Sequence, residues 1–390
     1  MKIKSFKCYT VSTGWRNLTY LQIETDDGII GFGEAHIVGK THTVREYLKE
    51  KRHYIIGHDI YNIEKLYQKF TMFDFGAPGQ VVMTAFSLLE MACWDCIGKK
   101  ANLPVYKLLG GSIRDKIPAY ANGWYRVERT PDNFYEAAKK VLLKGYKALK
   151  FDPFGNGHFE LSREEFFHSI ELIEAVYSAV KDNAQLFIEM HGRFTPHQAV
   201  EIIKEIEKFK PGWVEEPCRP TDLEAISYVM QHTNIPIATG ERLYSAPEYR
   251  NLFNNRLANI IQPDISQCGG ILEVKKIAST AETYSMMVSL HNVGGIIATT
   301  AGIHLMATLR NGKILEHFND FSDTYIKKAG NPYPEVKNGM FMLPKGAGWG
   351  ISIDIEFLES NQKVDENGVI LDRGLDMFRN ANWNKRENIN

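Results

Sequence analysis

A series of short apolar runs, each ending in a charged or ionisable residue, repeats through the middle of this sequence. In chain order the runs end at Glu189, Glu215, Glu241, Asp264, His291 and Glu316. Successive ends lie 23 to 27 residues apart. One strand, one loop and one helix together fill about that length. The regular step therefore predicts a parallel β/α barrel whose strands end at these residues.

The carboxyl ends of the strands of such a barrel converge on one mouth. The predicted mouth gathers five carboxylates, one histidine and Lys150, which lies in an additional predicted strand over Ala148–Asp152. Burying so many charges together costs free energy unless a cation or a reaction uses them. The pattern therefore predicts a functional site at the mouth.

Length and charge limit the other possibilities. The chain has 390 residues, so a barrel of roughly 200–250 residues leaves room for a second domain. The net charge of −1 gives no electrostatic reason to expect nucleic acid or an anionic membrane as a partner. No apolar run approaches the roughly 20 residues of a membrane span, and five cysteines, an odd number, favour a reducing cytoplasm.

The first 115 residues predict a different architecture from the middle of the chain. Strands over Leu18–Thr25 and Ile29–Ala35 form a hairpin, and helical patterns follow near Thr43–Tyr54, Ile63–Phe73 and Val82–Lys99. We therefore predict an α+β capping domain over residues 1–115, completed by the C-terminal tail 345–390. The barrel would span residues 116–344.

Three glutamates end consecutive predicted strands and suggest a metal site. Glu189, Glu215 and Glu241 would form a cage of hard oxygen ligands, which suits Mg²⁺ better than Zn²⁺. Alternation of side chains along a strand sends only one of Glu215 and Glu216 inward, and we assign Glu215. The alternative is that each glutamate makes a separate salt bridge at the rim.

Asp264 and His291 end the next two strands. Neighbouring strands lie about 4.8 Å apart, so the carboxylate can hydrogen-bond the imidazole. Such a carboxylate orients the ring and raises its basicity, which predicts a general base. The alternative is a structural pair that only satisfies a buried histidine.

Seven segments in this order and spacing resemble the mandelate racemase subgroup of the enolase superfamily, and most closely its sugar-acid dehydratases, such as the galactonate dehydratases. The segments are Ala148–Asp152, Glu189–Arg193, Val214–Pro217, Gly240–Arg242, Gln262–Asp264, His291-Asn292 and Leu315-Glu316. The resemblance implies a modified (β/α)7β TIM-type barrel with an N-terminal α+β capping domain. It also implies Mg²⁺ on the three glutamates and a homo-oligomer, since relatives commonly form dimers or octamers.

The resemblance further implies a hydro-lyase that converts an aldonate to a 2-keto-3-deoxy acid. In that chemistry His291 removes the α-proton and Asp264 orients it. Lys150 and Glu316 stabilise the enediolate, and His191 donates a proton to the departing 3-hydroxyl. The alternative for His191 is that it only hydrogen-bonds the substrate.

One segment departs from the subgroup. Its racemases carry Lys-x-Lys where this chain has Lys150-Phe151-Asp152. We expect Asp152 to bind substrate hydroxyls or to pair with Lys150, which disfavours a two-base racemase. Arg193 is expected to bind substrate or to neutralise the acidic rim.

Two further expectations concern the surroundings of the site. The loop 36–43 could form a lid over the mouth, and Trp15, Arg16, Trp124 and Tyr125 could border the pocket. The competing functions are an epimerase, racemase or cycloisomerase that shares the same first step, and a barrel that has lost catalysis and is retained for binding.

Overall fold

A computed structural model describes residues 1–13, 16–76 and 78–364, beginning with an antiparallel meander and helices. The elements up to residue 108 are β1 (Ile3–Ser12), β2 (Asn17–Thr25), β3 (Ile30–His36), α1 (Thr41–Glu50), α2 (Arg52–Ile55), α3 (Ile63–Thr71), α4 (Gln80–Ala101) and α5 (Val105–Leu108). The strands pair in the order β1-β2-β3. The predicted hairpin is present as β2 and β3, and β1 pairs with the other edge of β2.

Helix α4 is the central helix of this first region. Its 22 residues are long and apolar enough to cross a membrane by length and composition, so the expectation that no apolar run reaches that length was wrong. In the fold, 78% of its apolar window is buried inside the protein, as in the core helix of a globular domain. It packs chiefly against β3 and α1.

The middle of the chain forms the barrel. Its elements are β4 (Lys116–Ala121), α6 (Pro131–Leu143), β5 (Ala148–Phe151), α7 (Arg163–Val180), β6 (Gln185–Glu189), α8 (Pro196–Ile206), β7 (Trp213–Glu215), α9 (Leu223–Gln231), β8 (Ile237–Thr239), α10 (Ala246–Asn254), β9 (Ile260–Ile261), α11 (Gly270–Thr283), β10 (Met287–Val288), α12 (Ile296–Met306) and β11 (Leu315–His317). Short 3-10 helices at Lys181–Asn183 and Glu207–Phe209 follow α7 and α8.

Strands β4 to β10 pair in sequence order, and β11 returns to pair with β4 in parallel. A parallel bridge between Val288 and Gly312 joins β10 to the segment before β11 and closes the ring. Eight parallel strands alternate with seven helices. The predicted (β/α)7β barrel with an α+β capping domain is confirmed.

Beyond β11 the chain contacts both the barrel and the first region. It forms a 3-10 helix (Thr324–Ala329), β12 (Gly330–Asn331), β13 (Val336–Lys337), β14 (Met340–Met342), β15 (Ser352–Ile353) and α13 (Ile355–Ser360). Helix α13 packs on β1, and the Ser12 amide donates to the Asn361 carbonyl at 3.1 Å. The predicted tail also includes residues 365–390, which lie outside the described residues, and the boundary at 115/116 stays a prediction.

Two buried carboxylates fasten the first region to the barrel. Glu34, on β3, accepts the backbone N–H groups of Gly295, Ile297 and Ala298 at the start of α12. Glu90, on α4, accepts those at the start of α11. The first N–H groups of a helix have no partner within the helix, so a carboxylate there satisfies them and is favoured by the helix dipole. Helix α11 follows the strand that leads to Asp264, and α12 follows the strand that leads to His291, the predicted base.

Candidate active site

The three predicted metal ligands converge at the mouth. Glu189 and Glu215 are paired neighbours at the ends of β6 and β7, and Glu241 follows β8. One carboxylate oxygen from each lies within 4.8 Å of the other two. Glu189 and Glu215 are buried, and Glu241 is partly exposed. Glu216 points away and pairs with Arg242, as the alternation predicts.

Lys150 lies among these carboxylates. Its Nζ is 2.9 Å from Glu189 and 3.4 Å from Glu316, and it makes a still shorter contact with Glu215. Burial lowers the pKa of this amine, but the attraction of Glu215, Glu316 and Glu189 outweighs burial and holds the pKa well above its usual value. Lys150 is therefore a permanent positive charge at the mouth.

One ammonium does not neutralise the glutamates. Burial and repulsion from Glu189 hold the pKa of Glu215 well above its usual range. Burial also opposes ionisation of Glu189, but Lys150 and His191 outweigh it and lower that pKa. Three carboxylates with converging oxygens, excess negative charge and no sulfur or imidazole ligand form a possible binding site for a hard divalent cation.

The predicted base pair is present beside this cluster. His291 Nδ1 lies 2.7 Å from Asp264 Oδ2, and its Nε2 lies 3.6 Å from Glu241. Burial raises the pKa of Asp264, but its hydrogen bond to His291 and the attraction of His36 outweigh burial and lower it to about 2. Burial lowers the pKa of His291, yet Glu241 and Asp264 raise it to about 10. A cation beside Glu241 would cancel part of that attraction.

A second histidine–aspartate pair lies on the other side of the glutamates in strand order. His191 follows β6, and its Nδ1 is 2.6 Å from Asp152 Oδ2. Its φ of 47° is in the left-handed region, which a residue other than glycine seldom adopts, and Gly192 continues the turn with φ 60°. Such outliers concentrate at functional sites.

This pair corrects the expected pairing of Asp152 with Lys150, whereas substrate binding by Asp152 or Arg193 stays a prediction. Asp152 bonds His191 rather than Lys150, because Lys150 lies among the glutamates. Arg193 is buried beside Asp152. Its guanidinium donates to both oxygens of Asp152 at 2.6 and 2.7 Å and to the Gly155 carbonyl, and only 1% of its side chain is exposed. Arg193 thus supports Asp152 from behind.

Glu316 completes the ring of charges. Asn122 Nδ2 donates to one of its oxygens at 2.6 Å, and the Asn292 amide donates to the other at 2.9 Å. Burial acts to raise its pKa, but Lys150 and His291 outweigh burial and lower it. The carboxyl group is therefore ionised and accepts hydrogen bonds from Asn122 and Asn292.

Several site residues were missed by sequence reasoning. Gln262 Nε2 donates to Glu215 at 2.6 Å, and Ser266 donates its amide and its hydroxyl to Asp264. His36, at the end of β3, reaches the base pair from the capping domain. Gln262 and Ser266 lie two residues from Asp264 and could have been proposed from that spacing. No local signal links His36 to a residue more than 200 positions away.

Two of the residues expected to border the pocket, Trp124 and Arg16, make other contacts. Trp124 donates to the Lys150 carbonyl at 2.8 Å and packs against Phe151, outside the ring of strands. Arg16 is buried and pairs with Asp323. Tyr125 is also buried, and Trp15 lies outside the described residues.

Comparison with known proteins agrees with this geometry. The sequence profile described as mandelate racemase / muconate lactonizing enzyme, N-terminal domain, matches residues 3–110. The profile described as enolase C-terminal domain-like matches residues 133–357. The chain belongs to the enolase superfamily, in the group of mandelate racemase and muconate lactonizing enzyme.

Its relatives include several sugar-acid dehydratases. A D-gluconate/D-galactonate dehydratase of Picrophilus torridus is 33% identical, covering 89% of this chain and 89% of the relative. A D-gluconate dehydratase of Thermoproteus tenax is 34% identical over 88% of this chain and 70% of the relative. A D-xylonate dehydratase of Haloferax volcanii is 30% identical over 89% and 85%.

Solved structures show the same fold. A mandelate racemase/muconate lactonizing enzyme from Jannaschia sp. CCS1 superposes with a TM-score of 0.86 at 30% identity, covering 94% of this chain and 99% of that one. One from Sulfitobacter sp. superposes with a TM-score of 0.88 at 29% identity, over 95% and 98%.

Proposed function

We propose that this protein is a Mg²⁺-dependent hydro-lyase that dehydrates an aldonate to a 2-keto-3-deoxy acid. The observation that carries the proposal is the presence of two histidine–aspartate pairs, one on each side of three convergent glutamates. Dehydration of a hydroxy acid needs a base at one carbon and an acid at the next. The relatives named for gluconate, galactonate and xylonate support the aldonate class.

The first step assigned to this chain is removal of the α-proton. His291 donates its Nδ1–H to Asp264, so its Nε2 carries the lone pair that accepts the proton. The electrons of the broken C–H bond pass to the substrate carboxylate. When bound among the glutamates, Mg²⁺ would supply positive charge that stabilises this developing anion. Lys150 adds a second positive charge beside it.

The second step is loss of the 3-hydroxyl. Asp152 accepts from His191 Nδ1, which leaves Nε2–H to protonate the departing oxygen. The C3–O bond breaks, the electrons stored at the carboxylate form the new double bond, and water leaves. The resulting enol then tautomerises to the 2-keto-3-deoxy acid. Asp152 and Arg193 in this scheme hold His191 in place.

The test is a screen of five- and six-carbon aldonic acids in deuterated water with MgCl₂. Dehydration predicts a product lighter by one water that reacts as a 2-keto acid. An epimerase or racemase would instead give unchanged connectivity, inverted configuration and deuterium at the α-carbon. A cycloisomerase would give a changed ring with no loss of water. Absence of turnover and of α-deuterium with every acid would count against an enzyme of this class. Cytoplasmic location and homo-oligomerisation stay predictions.

A further inference from the structure

His36 belongs to the capping domain but lies beside the base pair of the barrel. It ends β3, and its side chain is buried. Its Nε2 is 3.8 Å from Asp264 Oδ2, and its ring centre is 5.9 Å from that of His291. The proposed proton transfers do not involve this imidazole, yet hydrogen bonds connect it to the base pair.

A chain of hydrogen bonds fixes the tautomer of His36. Lys40 can only donate, and its Nζ lies 2.6 Å from Gln80 Oε1. The amide nitrogen of Gln80 then donates to Gln267 Oε1 at 2.8 Å. The amide nitrogen of Gln267 in turn donates to His36 Nε2 at 2.9 Å. Because Nε2 accepts, the proton of a neutral His36 is on Nδ1.

The same direction of donation continues to the base. His36 Nδ1 lies 3.4 Å from Ser266 Oγ, which accepts from it. The Ser266 hydroxyl therefore donates to Asp264 Oδ1, at 2.6 Å. The other oxygen, Oδ2, accepts from His291 Nδ1 at 2.7 Å. Each group in this chain has one consistent role. In a neutral His291 the proton therefore lies on Nδ1, and Nε2 carries the lone pair.

The charge of His36 agrees with this assignment. Burial lowers its pKa to about 4, despite the opposing attraction of Asp264, so the ring is neutral near neutral pH. A neutral His36 leaves the Asp264 carboxylate to pair with His291 alone. A charged His36 would compete for the same oxygen and weaken the hold of Asp264 on the base.

We propose that His36 is a positioning residue for His291, acting through Ser266 and Asp264. It holds the Ser266 hydroxyl on Asp264 and so sets the tautomer and orientation of the base. Because Lys40 lies in the loop between β3 and α1 and His36 ends β3, these hydrogen bonds also link that loop to the base. The inference rests on the proposed role of His291.

The test compares His36→Leu with His36→Asn. Leucine removes the Nδ1–H donor, whereas asparagine places an amide donor close to the same position. With a substrate found in the aldonate screen, we expect α-proton exchange by His36→Leu to fall about 10-fold, mainly in kcat. We expect His36→Asn to recover most of that loss. His304→Leu is the matched control, since it also removes a buried neutral histidine but outside the mouth.

Nitrogen-15 NMR of labelled histidines provides a readout that needs no substrate. The wild-type His291 signal, assigned by its absence in His291→Asn, should show a single Nδ1–H tautomer in the neutral ring. His36→Leu should give a mixture of tautomers, and His304→Leu should not. Unchanged tautomer and exchange in His36→Leu would overturn the proposal. Equal loss in His36→Leu and His36→Asn would reduce His36 to a packing role. Failure of the wild type to exchange any α-proton would instead refute the proposed function.

Discussion

The inward-facing side chains of β6, β7 and the last barrel strand change from apolar to acidic within two residues. At the mouth these strands carry Glu189, Glu215 and Glu316, whereas two positions earlier they carry Phe187, Trp213 and Ile314, which belong to a separate buried apolar cluster. The Phe187 and Trp213 rings stack with centroids 3.4 Å apart, and Tyr120 meets both edge-on. We call this cluster the plug. Its other members are Tyr120, Ala148, Ala238 and Ile260.

The two layers are stabilised by different physics. The plug buries aromatic area, which is favourable without any particular partner. The mouth buries charges, which is unfavourable until each carboxylate has a donor or a cation. Trp213 serves both layers, because its ring packs in the plug while its Nε1–H donates to Glu215 at 2.9 Å. Substitutions in the plug should therefore change mainly the free energy of unfolding, whereas substitutions at the mouth should change mainly the reaction rate and Mg²⁺ binding.

The largest expected effect is a loss of reaction rate when the base at the mouth is replaced. His291→Asn should reduce α-proton exchange on the order of 10³- to 10⁴-fold, because the amide cannot act as a base. Exchange of the α-proton into deuterated water, followed by NMR, measures it. His191→Asn is the matched control, and it should lose water elimination while α-exchange continues. Exchange that persists in His291→Asn would show that the base has been assigned wrongly.

The second-largest expected effect is a loss of folding stability when a residue of the plug is replaced. Phe187→Ala should lower the free energy of unfolding by about 3–5 kcal/mol, because it leaves a cavity against Trp213. Chemical denaturation measures this loss. Trp213→Phe should cost less stability, yet it should weaken Mg²⁺ binding because Glu215 loses a donor. If Phe187→Ala weakened Mg²⁺ binding while costing no stability, the separation of layers would fail.

Buried histidines show a related contrast. At the mouth, Glu241 and Asp264 overcome burial and raise the pKa of His291. His304 packs outside the mouth against Trp349, and there burial lowers its pKa to about 4 from the usual 6.5. A depressed histidine pKa stabilises the fold above pH 6.5, and that stability is lost as the pH falls from 6.5 through 4.

The expected contribution of His304 across that pH range is about 3 kcal/mol. His304→Gln should therefore show a shallower loss of unfolding free energy on acidification than the wild type does. Denaturant titrations at several pH values between 7 and 4 measure the slopes. Equal slopes for the two proteins would show that His304 is not held neutral by the fold.

The smallest expected effect concerns the cation. Glu241→Gln should weaken Mg²⁺ binding on the order of 100-fold, because the site loses one of three charged ligands. Calorimetry with MgCl₂ alone measures it, and Glu224→Gln, an exposed glutamate on α9, is the control. Unchanged Mg²⁺ affinity in Glu241→Gln would show that Glu241 is not a ligand of the cation.

Much of the site could be predicted because parallel strands impose it. A strand ends where its apolar run ends, and the carboxyl ends of a closed parallel sheet face one mouth. The positions of Glu189, Glu215 and Glu241 follow from that rule, as does the closeness of Asp264 to His291. The expected pairing of Asp152 with Lys150 was wrong because the partner of Asp152 depends on how the chain turns after β6. That turn uses a left-handed His191, which no periodicity reveals.

By itself the sequence determined the barrel, its order of strands and the identity of the charges at its mouth, since apolar periodicity and strand direction are local properties. The tertiary structure decided which charges pair. Lys150 bonds glutamates rather than Asp152, Arg193 lies behind Asp152, and His36 crosses from another domain to the base. The physical reason is that side-chain hydrogen bonds depend on ångström-scale distances, which only the closed barrel and the docked capping domain establish.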